Sequence, residues 1–317
     1  MPVDDIKTDI LYVNSSEDNT RIDRFLSSRY AVVARGYFQR RIKAGDVMLN
    51  GSTCRASEKV RAGDRVWIKW VIEKPAVLKA AAVPFSIIHE DTDLMVVNKP
   101  PGTVVHPNES YKQSTLVHGL LDYAEEIFRA MMDEEQRPGI VHRLDKDTSG
   151  VMVVAKNEET RELLKAEFKE RRVEKTYLAI VSGMVGEARG EIEVPIGRHP
   201  VNRRKRMVMH ENGKYAKTIF RTLASNAAAS LLEVNIETGR THQIRVHLSS
   251  RHYPVLGDKL YGGVERLGDK SIKRQMLHSW KLLFRHPVTG TYCEYRAPLP
   301  DDFCETLRLA RLHNKIE

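Results

Sequence analysis

The sequence predicts an α+β protein in two domains, a small N-terminal α/β domain and a larger one with a mixed, mostly antiparallel β-sheet and flanking helices. Three observations carry that reading. The chain has 317 residues, comfortable for two cores and long for one. Helix and hairpin signals crowd residues 21–70 and then give way to VIEKPAVLKAAAVP, which has no strand alternation and reads as a linker. Beyond it, short apolar runs outnumber helical ones, as in a sheet-dominated α+β domain. The boundaries expected are 1–72, a linker over 73–84, and 85–317.

The first domain is justified element by element. RIDRFLSSRY puts Ile22, Phe25 and Leu26 on one helical face. FQRRIKAGDV continues as a second helix, stopped at Gly45. VMLNG and DRVWIKW read as short strands, and Asn50-Gly51 is a strong hairpin turn. The second helix carries Arg35, Arg40, Arg41 and Lys43, a cationic face suited to a phosphate backbone or simply to solvent. RIDRFL, RGYFQRRIKAGDVMLNG and KVRAGDRV, in that order, resemble the small S-four-like RNA-binding domain first named from a ribosomal small-subunit protein. That resemblance covers about 50 residues. Ala34 stands where that domain usually has a serine.

In the second domain, SIIHEDTDLMVVNKP reads as two strands around the turn EDTD, with Lys99 leading into Pro100-Pro101-Gly102. SYKQSTLVHGLLDYAEEIF contains a helix. GVMVVAK is an apolar strand, and ETRELLKAEFKERRV is a helix with Leu163, Leu164 and Phe168 on one face. KTYLAIVSG, GEIEVPIG, AKTIFRTLA, SLLEVNIETG and TYCEYRAPL add strands.

The net charge of +9 favours an anionic partner, and nucleic acid is the commonest. No apolar stretch approaches the roughly 20 residues of a membrane span. The N-terminus is acidic and lacks a signal core, so a cytoplasmic protein is expected. Cys54, Cys293 and Cys304 fit neither a disulfide framework nor a zinc site and are expected reduced. His242 and His247 are spaced poorly for a metal.

Two runs carry chemistry. HRLDKDTSG, His142 to Gly150, sets Asp145 between Arg143 and Lys146. TGRTHQIRVHL, Thr238 to Leu248, is rich in cationic and imidazole side chains. One carboxylate to react and cations to hold it ionised and to bind phosphate suit work on an RNA base. Asp147 and Ser149 fit a structural role, holding the turn that ends at Gly150.

These runs, with NKPPGTVVHP (Asn98 to Pro107), EKTYLAIVSG (Glu174 to Gly183), GDKLYGG (Gly257 to Gly263) and LHSWKLLFRHP (Leu277 to Pro287), resemble the RluA-type pseudouridine synthases in order and spacing. The match spans nearly all of residues 85 to 300. With the S-four-like domain in front, the architecture resembles the RluC- or RluD-like branch acting on large-subunit ribosomal RNA. The resemblance implies the pseudouridine synthase fold and an isomerase that turns uridine into pseudouridine with no cofactor and no metal. It places the catalytic carboxylate on Asp145 and its paired arginine on Arg245. Tyr177 matches the active-site tyrosine, packing on the extruded uracil or sharing in proton transfer at C5. Arg143 stabilises the flipped nucleotide or fills the space it leaves.

Further RNA contacts are expected from Arg240 with His242, and from Arg203, Arg204 and Lys205 with their neighbours Arg198 and Arg206. Lys99 and His106 border the first motif and either line the cleft or form a turn. The expected partner is RNA, most of all large-subunit ribosomal RNA, and the expected state is a monomer. Two alternatives stand: a non-catalytic RNA-binding or ribosome-assembly protein of the same fold, and a transfer-RNA-directed synthase.

Overall fold

Alternating side chains and a tight turn build the N-terminal part. The computed structural model describes residues 7–31, 33, 35–70, 78–107, 111, 113–132 and 137–312. The chain divides into two compact units, Met1–Val77 and Leu78–Glu317. The first unit runs β1 (Thr8–Tyr12), α1 (Ile22–Arg29), α2 (Arg35–Ala44), β2 (Val47–Leu49), β3 (Ser52–Thr53) and β4 (Arg65–Lys69). Its sheet has the order β1-β4-β2-β3, antiparallel throughout.

Ile22, Phe25 and Leu26 of α1 are buried against Phe38 and Ile42 of α2 and Val47, Val66 and Ile68 of the sheet. Asn50 and Gly51, with φ of 52° and 85°, make the two-residue turn between β2 and β3. Both central residues need positive φ in this turn, which asparagine and glycine tolerate. Strand β1 is not marked in the sequence, because TDILY is short and shows no apolar–polar alternation. Ala34 and residues 73–77 of the expected linker lie outside the described residues. Within the rest of that linker, Leu78 packs on the core of the second unit and the Ala81 N–H donates to His118 O.

The second unit runs β5 (Ser86–Glu90), β6 (Leu94–Lys99), α3 (Leu116–Tyr123), α4 (Glu125–Ala130), β7 (Ser149–Ala155), α5 (Glu158–Lys169) and β8 (Glu174–Ser182). It continues with β9 (Arg189–Glu193), β10 (Ile196–Arg198), β11 (Arg206–Val208), β12 (Lys217–Ser225), β13 (Ala229–Ile236) and α6 (Gln243–Ser250). The last elements are β14 (Arg266–Leu267), β15 (Lys270–Ser271), β16 (Leu277–Arg285), β17 (Tyr292–Arg296) and α7 (Asp301–Leu309). A nine-stranded sheet has the order β5-β6-β7-β16-β8-β13-β12-β9, with β17 also on β16. Its β7–β16 pairing is parallel and its other pairings are antiparallel.

Both faces of this sheet are covered. Met152 and Val154 of β7 enter the larger core with α3, α4 and α7, while Val151, Val153 and Ala155 enter a second core with Leu164 of α5. A strand covered on both sides reads as one continuous apolar run, which is why GVMVVA carries no alternation.

Helix α5 departs from the expected face. Leu163 is 41% exposed, whereas Thr160, Arg161 and Leu164 are buried and Phe168 is half-buried. Positions 160, 164 and 168 stack along one stripe of a helix, and Leu163 lies about 100° round from Leu164. The segment expected to hold one helix holds two, α3 and α4, separated at Ala124.

Gly150 is where the Asp145 loop becomes β7. Its φ is 119°, and a Cβ there would lie 2.1 Å from Ser279 O on β16. Gly150→Ala is expected to destabilise the protein by roughly 3 kcal/mol, through strain and overpacking together. A urea titration followed by circular dichroism measures it.

Candidate active site

The loop carrying Asp145 is fastened at three places before any reactive group is considered. The Thr148 N–H donates to Asp145 O at 3.1 Å and closes the turn. Lys99, fully buried at the end of β6, donates Nζ to Pro100 O (2.8 Å), Thr103 O (2.9 Å) and Lys146 O (3.1 Å). It thereby ties the Pro-Pro-Gly turn to the Asp145 loop. Burial pushes Lys99 down to about 7, opposed by the charges of Asp147 and Asp145. Its three carbonyl acceptors match the three N–H groups of an ammonium. On the other side, Arg274 donates Nη1 to Asp147 O at 3.1 Å and grips Asp302 with Nε and Nη2 at 2.6 and 2.7 Å.

The turn-holding role expected of Asp147 and Ser149 is filled differently. Asp147 contributes its backbone carbonyl to Arg274. The Ser149 hydroxyl lies 2.9 Å from His278 Nδ1, in the parallel register of β7 and β16. His278 Nε2 meets Ala297 O at 3.2 Å, so Nε2 carries the proton and Nδ1 accepts from the serine. Ser149 pins two strands together rather than closing the turn.

Asp145 and Arg245 meet directly. Arg245, on α6, donates Nη1 to Asp145 Oδ2 at 2.8 Å. Its other edge is clamped by Asp258, with Nε to Oδ2 at 2.6 Å and Nη2 to Oδ1 at 2.9 Å. Asp258 is itself buried, and its Oδ1 also accepts the N–H groups of Leu260 and Tyr261. The Tyr261 ring lies 5.0 Å from the Arg245 guanidinium, a cation–π contact. Burial would lower the Arg245 pKa, but the carboxylates of Asp258 and Asp145 more than offset it, and Arg245 is raised.

His242 Nε2 stands 3.8 Å from Asp145 Oδ2, and its Nδ1 lies 2.8 Å from Tyr261 Oη. Burial holds His242 below the usual imidazole range, against the pull of Asp145. Only Oδ2 of Asp145 is taken; among the described residues no donor reaches Oδ1.

One pocket gathers Asp145, Arg143, Tyr177, Arg240, His242 and Arg245, with Leu144, Ile236 and Leu277 as its apolar wall. Tyr177 reaches it from β8. Burial pushes this phenol up to about 12, with a hydrogen bond to Ser279 opposing. Arg143 is exposed, and Arg240 donates Nε to Tyr215 O at 2.9 Å.

The basic run 198–206 forms the hairpin of β10 and β11. Arg203 and Arg204 are exposed in its loop, while Lys205 Nζ lies 5.4 Å from the Tyr261 ring and the Arg206 N–H donates to Tyr261 Oη. Arg198, Arg206 and Lys214 line a groove that reaches Arg240. In the first unit, Arg35 pairs with Asp23 at 2.8 Å and Arg41 with Asp46 at 3.1 Å, while Arg40 and Lys43 are exposed. His106 lines a neighbouring cleft, and Lys99 acts through backbone carbonyls outside the pocket.

Metal-ligating types cluster, among the described residues, at Asp91, Asp93 and His286. His286 Nδ1 accepts the N–H groups of Val288 and Thr289, so its Nε2 carries the proton that faces Asp91 Oδ2 at 3.1 Å. The group is a hydrogen-bonded knot between two turns. His247 has both ring nitrogens engaged, by Thr218 at 2.9 Å and Val194 O at 3.0 Å.

The family model for RNA pseudouridylate synthase matches residues 93–250, and that for the S4 domain matches residues 20–66. An uncharacterized RNA pseudouridine synthase of Bacillus subtilis (strain 168) is 39% identical over 303 residues, 94% of this chain and 97% of that protein. The chain belongs to the RNA pseudouridylate synthase family. A ribosomal large subunit pseudouridine synthase D of Nitrosomonas europaea is 38% identical over 297 residues, covering 92% of this chain and 84% of its own. Among solved structures, human RNA pseudouridylate synthase domain containing 1 aligns with a TM-score of 0.54 at 30% identity, over 72% of this chain and 86% of that one.

Two residues that hold Arg245 from behind the pocket were not singled out in the sequence. Asp258 and Tyr261 lie in GDKLYGG, a run that matched the family pattern but carried no residue role until the fold set it beside α6. The available signal was that Asp258 is the one acid in the motif. Asp258→Asn removes a charge from the clamp on Arg245 without touching the pocket's contents. It should lower the single-turnover rate by about 10- to 100-fold through misorientation alone. RNA affinity measured by filter binding should stay unchanged.

Proposed function

We propose that this synthase isomerises uridine to pseudouridine in large-subunit ribosomal RNA, with Asp145 as the carboxylate that acts at the sugar. The observation that carries the reading is the chain Asp258–Arg245–Asp145. A clamped guanidinium holds one carboxylate oxygen and leaves the other open to a partly apolar pocket. The S4 domain and the several relatives named ribosomal large subunit pseudouridine synthase D support the target. A cytoplasmic monomer completes the reading, and the isomerisation, being redox neutral, calls for no electron-carrying cofactor.

The base must first leave its stack, at a cost of a few kcal/mol. Cations at the pocket mouth, Arg143 and Arg240 with the β10–β11 hairpin, offset that cost through phosphate contacts. Arg143, exposed and beside Asp145, stabilises the extruded nucleotide or fills the gap it leaves. Uracil packs between the Tyr177 ring and the wall of Leu144, Ile236 and Leu277. With its pKa near 12, Tyr177 is a neutral phenol at physiological pH, which favours packing over proton abstraction.

Asp145 Oδ1 then either adds to C1′ or removes a proton from the sugar. The N1–C1′ bond breaks with its electron pair leaving on uracil. The ring turns and C5 bonds to C1′, displacing the Asp145 oxygen in the first route or, in the second, with Asp145 returning its proton to the sugar. The C5 proton is lost and N1 gains one, so composition is unchanged and the carboxylate is regenerated. Arg245 holds Oδ2 in place while Oδ1 reacts.

Pseudouridine mapping at nucleotide resolution, in cells with and without the gene, tests the target. Lost sites are expected in large-subunit RNA. Loss confined to transfer RNA would overturn the target, and no loss anywhere would overturn the activity. Asp145→Asn is expected to lower turnover on the order of 1000-fold or more, while filter binding of the same RNA stays close to wild type.

A further inference from the structure

A second cleft opens beside the Asp145 pocket and shares Arg143, Tyr177, Ile236, Gly239 and Arg240 with it. Its far wall is the end of α5 and the turn into β8, with Lys165, Phe168, Lys169, Arg171 and Lys175. The cations along this segment fall into two groups. Arg161 pairs with Glu158 at 2.7 Å, Lys165 with Glu162 at 2.7 Å, and Arg172 with Glu167 through Nε at 3.0 Å. Arg143, Lys169, Arg171, Lys175 and Arg240, all lining the cleft, have no carboxylate partner among the described residues.

Arg171 instead lies 5.2 Å from the Tyr215 ring, and Arg240 donates to the Tyr215 carbonyl. Lys175 is only 8% exposed, yet among the described residues Nζ has one carbonyl acceptor, Val173 O at 3.0 Å, and the Phe168 ring at 5.8 Å. A buried ammonium so thinly compensated invites an anion. Burial pushes Lys175 down to about 8, and an anion beside it would restore the charged form. His106, 7% exposed, lines the same cleft with a buried Nδ1 that has no hydrogen-bond partner among the described residues. The acid on the lining is Glu237, which faces Lys217 at 3.7 Å.

We propose that this cleft binds the phosphodiester backbone next to the target uridine. The proposal rests on the reading that the Asp145 pocket receives the extruded nucleotide. A base in that pocket brings its own phosphates to the shared wall at Arg143 and Arg240, so the strand runs on into the adjoining basic channels. The β10–β11 groove is one channel, and the α5 cleft is the other. Unpaired cations suit this task, because an arginine already held by a carboxylate gains less from a phosphate.

The test uses the full chain carrying Lys169→Gln and Arg171→Asn. Both residues are exposed, and asparagine tolerates the left-handed backbone of Arg171, whose φ is 61°. The probe is a synthetic RNA hairpin containing the uridine found by mapping, in native form and with uncharged methylphosphonates at the two linkages flanking that uridine. Wild type should lose affinity for the neutralised hairpin. The double variant should bind the native hairpin more weakly, with the slope of log K against log salt shallower by about 1.5, as for two lost phosphate contacts. It should lose little more when the linkages are neutralised.

Arg172→Gln removes the same charge from the adjacent residue, which is paired with Glu167, and should leave the slope unchanged. An unchanged slope in the double variant would overturn the cleft assignment. So would a methylphosphonate loss as large in the double variant as in wild type. Conversion of the native hairpin by wild type separates the two readings: without conversion the active-site reading fails, and with conversion but additive losses only the cleft assignment fails.

Discussion

The orientation of the Arg245 guanidinium is the constraint on which the site depends. A planar fork has a fixed set of donor directions, and here both edges are used. Asp258 takes Nε and Nη2, which leaves Nη1 aimed at Asp145. Because Asp258 is buried and holds two backbone N–H groups as well, it cannot swing to follow a moving arginine. The rigidity of one turn is therefore passed to the carboxylate that faces the pocket. The Tyr261 ring closes the remaining face of the guanidinium and links it to the β10–β11 hairpin. A carboxylate with one oxygen fixed and one open is pre-organised, and little ordering is left to do when substrate arrives.

The sheet serves this arrangement by bringing distant segments together at adjacent strand ends. The β6–β7 register puts Lys99 opposite Gly150, and the parallel β7–β16 contact puts Ser149 opposite His278. Lys99 and Arg274 then hold the Asp145 loop from two sides through its backbone carbonyls. Neither residue lines the Asp145 pocket, yet each removes freedom from the loop that carries its acid. Tyr177 comes from β8, next to β16, so the phenol and the carboxylate share a pocket through strand order alone.

Charge pairing divides the surface of the second unit. Many of its cations are neutralised by a neighbouring glutamate, as along α5 and at Lys217, where Glu191 approaches to 2.9 Å. At the mouth of the Asp145 pocket, Arg143 and Arg240 have no carboxylate partner among the described residues. Arg143 and Arg240 belong to the pocket and the α5 cleft alike, and Arg240 also borders the groove of the β10–β11 hairpin. A net charge of +9 is most useful to an anionic ligand where carboxylates are withheld, and Arg143 and Arg240 are two such positions beside the acid.

Much of this was legible in the chain itself. Local rules sufficed for α1, for the Asn50-Gly51 hairpin and for the continuous apolar run of β7, because propensity, turn chemistry and burial agree there. The runs around Asp145 and Arg245 were legible as chemistry, since charge and spacing within a motif do not depend on the fold. Leu163 was misplaced because adjacent leucines point about 100° apart on a helix, and the sequence does not say whether the core wraps far enough to cover both, as it does for Leu120 and Leu121 of α3 but not for α5. Asp258, Tyr261, Lys99 and the α5 cleft depended on contacts between residues far apart in the chain. Lys99 reaches Lys146 across 47 positions, and Arg245 reaches Asp145 across 100. Periodicity and turn signals act over a few residues, so the sequence by itself determined the elements and the reactive types. The family resemblance already implied the pairing of Asp145 with Arg245; only the tertiary structure decided that Asp258 clamps that arginine, and which cations beside the pocket have no carboxylate among the described residues, because those contacts join residues far apart in the chain.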